Sequence, residues 1–179
     1  VTAVRIKHSV PCYGFIVQQQ PRWSFDVEKF RSMGGVVGPD IGRIKSGESI
    51  QLPNGDMAHP SDFVAEVKGG KKFVILGDTC DPAAIAPYAK DADLLVHEAT
   101  LPDAMQKEAI SRGHSTPAMA GIFASEINAK HLALTHFSAR DDLNAKQHSD
   151  LDPAVSAHAH YRGPIIPAVD FMFIDWIRH

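Results

Sequence analysis

The chain has 179 residues, enough for one domain with a sizeable core, and an apolar fraction of 44% with a charged fraction of 22% excludes a disordered segment. A formal net charge of −3 argues against broad, nonspecific nucleic-acid binding and leaves room for a local basic patch. No apolar run nears the roughly 18 residues that a bilayer span needs, so no membrane contact is expected. No signal-peptide pattern opens the chain. Cys12 and Cys80 give neither a disulfide framework nor a paired-thiolate zinc motif, which favours a reducing compartment. The ten His are more informative, because neutral imidazole is the commonest metal ligand.

In chain order, Val1–Ile6 already has the look of strand, so the chain is expected to be the later part of something longer. Pro11 and Gly14 break the run before a second strand that ends near Val17. From Gln18 to Gly70 the character changes. Ser24 is placed to cap a helix carrying Asp26 and Glu28 in its first turn, which Gly34-Gly35 would end. Gly38-Pro39-Asp40-Ile41-Gly42-Arg43-Ile44-Lys45 reads as a turn-rich segment with two cations. Ile50–Leu52 with Pro53-Asn54-Gly55 reads as a hairpin, and Pro60-Ser61-Asp62 as the start of a short helix. The stretch holds too few large apolar residues for a core of its own, which predicts an arm or insertion, with a long decorated loop as the plainer alternative.

Lys71–Leu76 returns to core strand and turns off through Gly77-Asp78-Thr79-Cys80. Asp81-Pro82 opens a helix, Leu94–Val96 forms the next strand, and Pro102–Arg112 is helical. The turn Gly113–Pro117 supplies a Ser or Thr cap for a helix over Ala118–Asn128. Strand His131–Leu134 delivers Thr135-His136-Phe137-Ser138. A capped helix over Asp152–His160 and a last strand over Ile165–Ile174 complete the chain.

Three of these strands run into ionisable residues: Asp78, the pair His97-Glu98, and His136. Strands alternating with helices predict an α/β fold in βαβ order, whose ligands gather beyond the carboxyl ends of the strands. Acids and His from distant positions would then meet at one rim, as in a metal or acid–base site. Each residue also has an ordinary alternative. Asp78 fits a turn or cap, Glu98 a surface acid, His114 an exposed turn residue, His136 a satisfied core imidazole, and His8 an exposed or structural residue. His158 and His160 lie two apart on a helix, point away from each other and belong to the surface. No Gly-rich phosphate loop and no G-x-S-x-G elbow is present, which makes covalent catalysis the weaker enzymatic option.

Taken together, His8-Ser-Val-Pro-Cys-Tyr-Gly-Phe, Gly38-Pro39, Gly77-Asp78-Thr79, His97-Glu98-Ala99-Thr100, His114-Ser115-Thr116 and Leu134-Thr135-His136-Phe137-Ser138-Ala139-Arg140 resemble tRNase Z. This is the zinc-dependent family that processes tRNA 3′ ends, within the metallo-β-lactamase superfamily, and the likeness is to its short form. The resemblance implies an αββα sandwich, of which this chain is the carboxyl-terminal half. Residues 1–17 and 71–179 would form that body, and 18–70 the flexible arm that grips the tRNA elbow.

It further implies that Asp78 bridges two zinc ions, with His8 and His136 as terminal ligands on either side. His114 would protonate the leaving 3′-oxygen with Glu98 orienting it. Gly38 and Pro39 would sit at the centre of the arm, and Arg43, Lys45 and Arg140 would contact phosphates. Their alternative is an ordinary solvated cation. The implied substrate is precursor tRNA, the complete enzyme a homodimer, and the compartment cytoplasmic, with the nucleus as the other option. The superfamily's His-x-His-x-Asp-His motif appears nowhere in these residues, so each zinc would receive only Asp78 and one His here, against the usual four ligands. Partial or absent zinc is therefore expected for the chain alone, together with a missing amino-terminal half and an exposed apolar sheet face. Two other readings stay open: a different hydrolase on this scaffold acting on a small phosphodiester or thioester, and a catalytically incomplete tRNA-binding fragment.

Overall fold

The computed structural model describes residues 1–20, 22–67, 70–138 and 152–175. They fall into two compact units, Val1–Gln18 with Lys71–His179 and, separately, Gln19–Gly70.

The first unit opens with β1 (Thr2–Ile6) and β2 (Cys12–Gln18), paired antiparallel from Thr2↔Ile16 to Ile6↔Cys12. The chain then enters the second unit. Strand β3 (Arg22–Phe25) pairs antiparallel with β6 (Val64–Val67), and between them run α1 (Val27–Ser32), α2 (Pro39–Lys45), the two-residue strands β4 (Ile50–Gln51) and β5 (Met57–Ala58), and α3 (Pro60–Phe63). Ser24 lies inside β3, and the cap of α1 is Asp26, whose carboxylate accepts from the Lys29 N–H at 2.8 Å. The expected turn at 38–45 is the helix α2, with Pro39 in its first turn, where its missing N–H matters least. This unit has a core of its own, against the sequence expectation: Phe30, Ile44, Ile50, Leu52, Ala58 and Phe63 are buried together, with Phe25 packed against them. Phe25, Phe30 and Phe63 lie 5.3–5.6 Å apart between ring centroids, so three aromatic rings supply most of the missing volume.

The first unit resumes with β7 (Lys72–Leu76), a 3₁₀ turn at Ala83–Ile85, α4 (Ala86–Ala89) and β8 (Leu94–Glu98). A second 3₁₀ turn at Asp103–Met105 leads into α5 (Gln106–Arg112), then α6 (Pro117–Glu126), β9 (Leu132–Thr135), α7 (Pro153–His158) and β10 (Ile165–Pro167). Thr116 caps α6, its hydroxyl accepting from the Met119 N–H, and the helix stops at Glu126. The last strand is only three residues long, because Pro167 removes a ladder donor and a turn follows at Asp170-Phe171.

The six strands order as β1-β2-β7-β8-β9-β10. The first two pairings are antiparallel and the last three parallel. The carboxyl ends of β7, β8 and β9 therefore share one edge with the β1–β2 turn. One sheet face carries the core: Ile6, Ile16, Val74, Leu76, Leu95, Leu132 and Leu134, covered by Ile85, Phe123 and Ile127. The register pairs Phe15 with Ile75 and Val17 with Phe73 on the opposite face, where Tyr13, Phe15, Val17 and Ile75 are exposed.

Candidate metal and acid–base site

The expected ligands His8, Asp78 and His136 and the expected acid–base pair Glu98 and His114 all emerge at the shared sheet edge. His8 follows β1, Asp78 follows β7, Glu98 ends β8, His114 lies between α5 and α6, and His136 follows β9 in a left-handed conformation (φ 57°). Asp78, Glu98, His114 and His136 each offer a ligand atom within 4.8 Å of the others. His8 is outside that compact group, but its ring centroid is 5.1 Å from that of His114, which is 5.4 Å from that of His136. The His8 Nδ1–H donates to the Gly113 carbonyl at 2.7 Å, which leaves Nε2 as the unprotonated nitrogen of the neutral ring. Gly113 is required there. Its φ is +85°, and a Cβ would lie 2.6 Å from His8 Nδ1.

Glu98 is only 2% exposed, and its carboxylate is fully engaged. Oε1 accepts from the Thr79 N–H at 2.7 Å, and Oε2 from the Thr100 hydroxyl at 2.5 Å and the Ser115 N–H at 3.0 Å. His114 Nδ1 is 3.1 and 3.2 Å from the two oxygens, so Glu98 orients the imidazole and leaves Nε2 free. The Ser115 hydroxyl donates to the Thr79 carbonyl at 2.6 Å and ties the β7 and α6 loops together. A carboxylate with that many donors serves as an orienter, and its lone pairs are spent. His136 Nδ1 lies 3.2 Å from Asp78 Oδ1, and both side chains are about half exposed.

His97 takes the other direction, because neighbours on a strand face opposite ways. The ring is fully buried on the helix-covered face beside Phe123, with Nδ1–H donating to the Glu98 carbonyl at 2.7 Å. It is no part of the rim. Burial holds its pKa below the ordinary histidine value. Thr79, Thr100 and Ser115 were given no role from the sequence, although each stands in one of the motifs that carry the resemblance.

On donor chemistry the rim suits a borderline-soft cation such as zinc, which takes imidazole nitrogen and carboxylate oxygen together. Within the compact group Asp78 and His136 offer such atoms, too few for two closed coordination shells.

In the second unit Arg43 is a fork between two acids. Its guanidinium donates to both Glu48 oxygens and, at 3.1 Å, to Asp40, and holds the Glu48 carboxyl below its usual range. Lys45 Nζ lies 6.0 Å from the centre of the Phe25 ring. Gly38 is extended, with nothing near where a Cβ would stand, and caps α2 ahead of Pro39. Arg140 lies outside the described residues.

No family model matches the chain. A ribonuclease Z of Myxococcus xanthus is 36% identical over 98% of the chain and 56% of its own length. The zinc phosphodiesterase ELAC protein 1 of Mus musculus is 41% identical over 78% of the chain and 40% of its own length. Among solved structures, human tRNase Z, short form, superposes with a TM-score of 0.53 at 29% identity, covering 97% of this chain and 41% of that one. A metallo-β-lactamase fold protein of Bacillus subtilis, YhfI, gives 0.52 at 17% identity over 93% of this chain and 45% of its own, a likeness of fold alone.

The sheet, its covering helices and the rim of His and acids thus define a metallo-β-lactamase fold protein with a candidate metal site. Within that class the chain is similar to proteins named ribonuclease Z and zinc phosphodiesterase ELAC protein 1, at 36% and 41% identity. It spans about half the length of the first curated relatives it matches. No helix among the described residues is long and apolar enough to cross a membrane.

Proposed function

We propose that this chain carries the proton-donor and part of the zinc-binding half of an endoribonuclease that removes the 3′ trailer from precursor tRNA. The observation that supports it most is the Glu98–His114 pair beside Asp78 and His136. Asp78, His8 and His136 would hold zinc, which would supply Lewis acidity and a lowered water pKa there. Asp78 keeps an exposed carboxylate at the rim. Glu98 holds His114 through Nδ1, and His114 is assigned as the proton donor through Nε2. As water attacks phosphorus and gives up a proton to solvent, the bond to the 3′-oxygen of the tRNA body breaks and that oxygen takes the His114 Nε2 proton. The tRNA body leaves with a free 3′-hydroxyl and the trailer with a 5′-phosphate.

Residues 18–70 are assigned as the arm that holds tRNA, with Gly38 and Pro39 at its head, and Arg43, Lys45 and Arg140 as phosphate contacts. Arg43 would have to exchange Glu48 and Asp40 for phosphate, which makes Lys45 the readier contact. On the same reading the complete enzyme is a homodimer holding two zinc ions and works in the cytoplasm or nucleus. The chain's half-length coverage of its relatives favours a second reading, an incomplete tRNA-binding fragment.

The test combines the chain with the remaining half of a ribonuclease Z relative and measures zinc by elemental analysis and cleavage of precursor tRNA. Near-zero zinc alone, about two ions per assembled unit and a cut after the discriminator base are expected. Two zinc ions without 3′ cleavage would overturn the substrate. Salt-dependent tRNA binding without turnover in the mixture, indifferent to chelators, would favour the fragment.

A further inference from the structure

Thr100 has no part in the reading above, yet it stands where the site's loops meet. Its backbone N–H donates to the Ser115 carbonyl at 3.0 Å, next to His114, and its carbonyl accepts from the Ser138 N–H at 3.2 Å, two residues past His136. Its hydroxyl repeats that span with the side chains. Oγ1 donates to Glu98 Oε2 at 2.5 Å and lies 2.9 Å from His136 Nδ1.

A hydroxyl has one proton, and an ionised carboxylate only accepts, so the proton belongs to the Glu98 bond. The contact to His136 must then run the other way, with Nδ1–H as donor and Oγ1 as acceptor. That direction places the imidazole proton on Nδ1 and leaves Nε2 as the nitrogen with the free lone pair. Asp78 Oδ1 is the competing acceptor at 3.2 Å, longer than the Thr100 contact, so the threonine draws Nδ1–H away and keeps the Asp78 oxygens available.

We infer that Thr100 is a positioning residue that locks the tautomer of His136 and couples the Glu98–His114 pair to the Asp78–His136 donors through one hydroxyl. The bridge itself stands on the hydrogen bonds alone; its consequence for metal binding rests on the assignment of His136 as a ligand. A hydrogen bond that fixes the far nitrogen of a metal-binding histidine is typically worth ~10–100-fold in metal affinity or activity.

The test uses the metal-free chain and three forms: wild type, Thr100→Val, which keeps the shape and loses the hydroxyl, and Thr100→Ser, which keeps the hydroxyl. Nitrogen-15 long-range spectra of the imidazoles report the His136 tautomer without need of activity, and amide dispersion reports folding. Because the Asp78 carboxylate at 3.2 Å would hold the same Nδ1–H by itself, the three forms are compared in an Asp78→Ala background, where Thr100 and Thr100→Ser are expected to hold the Nδ1–H form and Thr100→Val to shift to a mixture with Nε2–H. An unchanged tautomer in a folded Thr100→Val chain, or a Thr100→Ser chain that behaves like it, overturns the inference. Zinc titration of the chain assembled with the remaining half of a ribonuclease Z relative should then show affinity lowered ~10-fold or more in Thr100→Val and nearly preserved in Thr100→Ser. Precursor tRNA cleavage by the wild-type assembly tests the proposed function separately, so the failure of one reading is not mistaken for failure of the other.

Discussion

Adjacent residues His97 and Glu98 are both buried, yet one is charged and satisfied and the other neutral and half-satisfied. Glu98 is accompanied by two backbone N–H groups, a hydroxyl and an imidazole, which is what a buried carboxylate needs to stay ionised. His97 Nε2 is buried with no hydrogen-bond partner among the described residues. The ring lines a cavity of about 180 Å³ together with Cys80, Met119 and Phe123. Protonating Nε2 would place a charge on a fully buried ring, which is why burial depresses the His97 pKa.

The sign follows from linkage. Below the unfolded histidine value of about 6.5 the unfolded chain binds a proton that the folded chain refuses, so stability is full above that value and falls as pH drops through it. Urea midpoints at about pH 7.5 and about pH 5.5 should differ in wild type and differ less in His97→Leu, which removes this titration. An equal pH dependence in the two forms would remove His97 from the account. Asp93 acts in a more acid window. Burial pushes its carboxyl up, but the Lys130 ammonium at 2.8 Å, the Lys72 N–H and the charge of Lys71 outweigh it and hold the pKa below the usual range. Its stabilising share is present above about 3.9 and is lost below that value.

Among the described helices of the first unit, α6 and α7 pack together most extensively. Asp103 fastens the pair, accepting from the Ala118 N–H at 3.0 Å and from the Ser156 hydroxyl. Burial again pushes the Asp103 carboxyl up, and Ser156, Thr116 and Ala118 together hold it lower than usual. Gly121 makes the approach possible: a Cβ there would stand 2.5 Å from the Ala157 carbonyl oxygen and 3.1 Å from its Cα. In a free helix Gly→Ala gains about 1 kcal/mol. Here overpacking against backbone costs about 1–3 kcal/mol and wins. Gly121→Ala should therefore lower the unfolding free energy of the chain in urea; a gain in stability would show that α7 yields at no cost.

At the scale of the whole chain, the six-stranded sheet is finished on one face only. Tyr13, Phe15, Val17 and Ile75 are exposed side by side, far more apolar surface than scattered single residues would give. A dye that fluoresces on apolar surfaces should bind the chain, and the pair Phe15→Lys with Ile75→Lys should reduce that signal roughly twofold without loss of folded structure, since neither side chain is in the core. Unchanged dye binding would place the apolar surface elsewhere. The unit of Gln19–Gly70 needs no help from this face, having its own aromatic core.

Local pattern carried a good deal of this protein. Alternation in β1 and β2, apolar runs in β7, β8 and β9, proline at helix starts and the Thr116 cap were legible because each depends on residues a few positions apart. The placing of Asp78, Glu98, His114 and His136 on one rim was legible too, because parallel strands must end on the same side. What local pattern left undecided depends on distance through space. The core of the unit Gln19–Gly70 was invisible because Phe25, Phe30, Ile44, Ile50 and Phe63 are scattered over 39 positions and meet only when β3 pairs with β6. Likewise nothing local separates His97 from Glu98. The sheet's two faces, one under helices and one at the rim, decide which residue is buried as an apolar neighbour and which becomes the centre of a hydrogen-bond network.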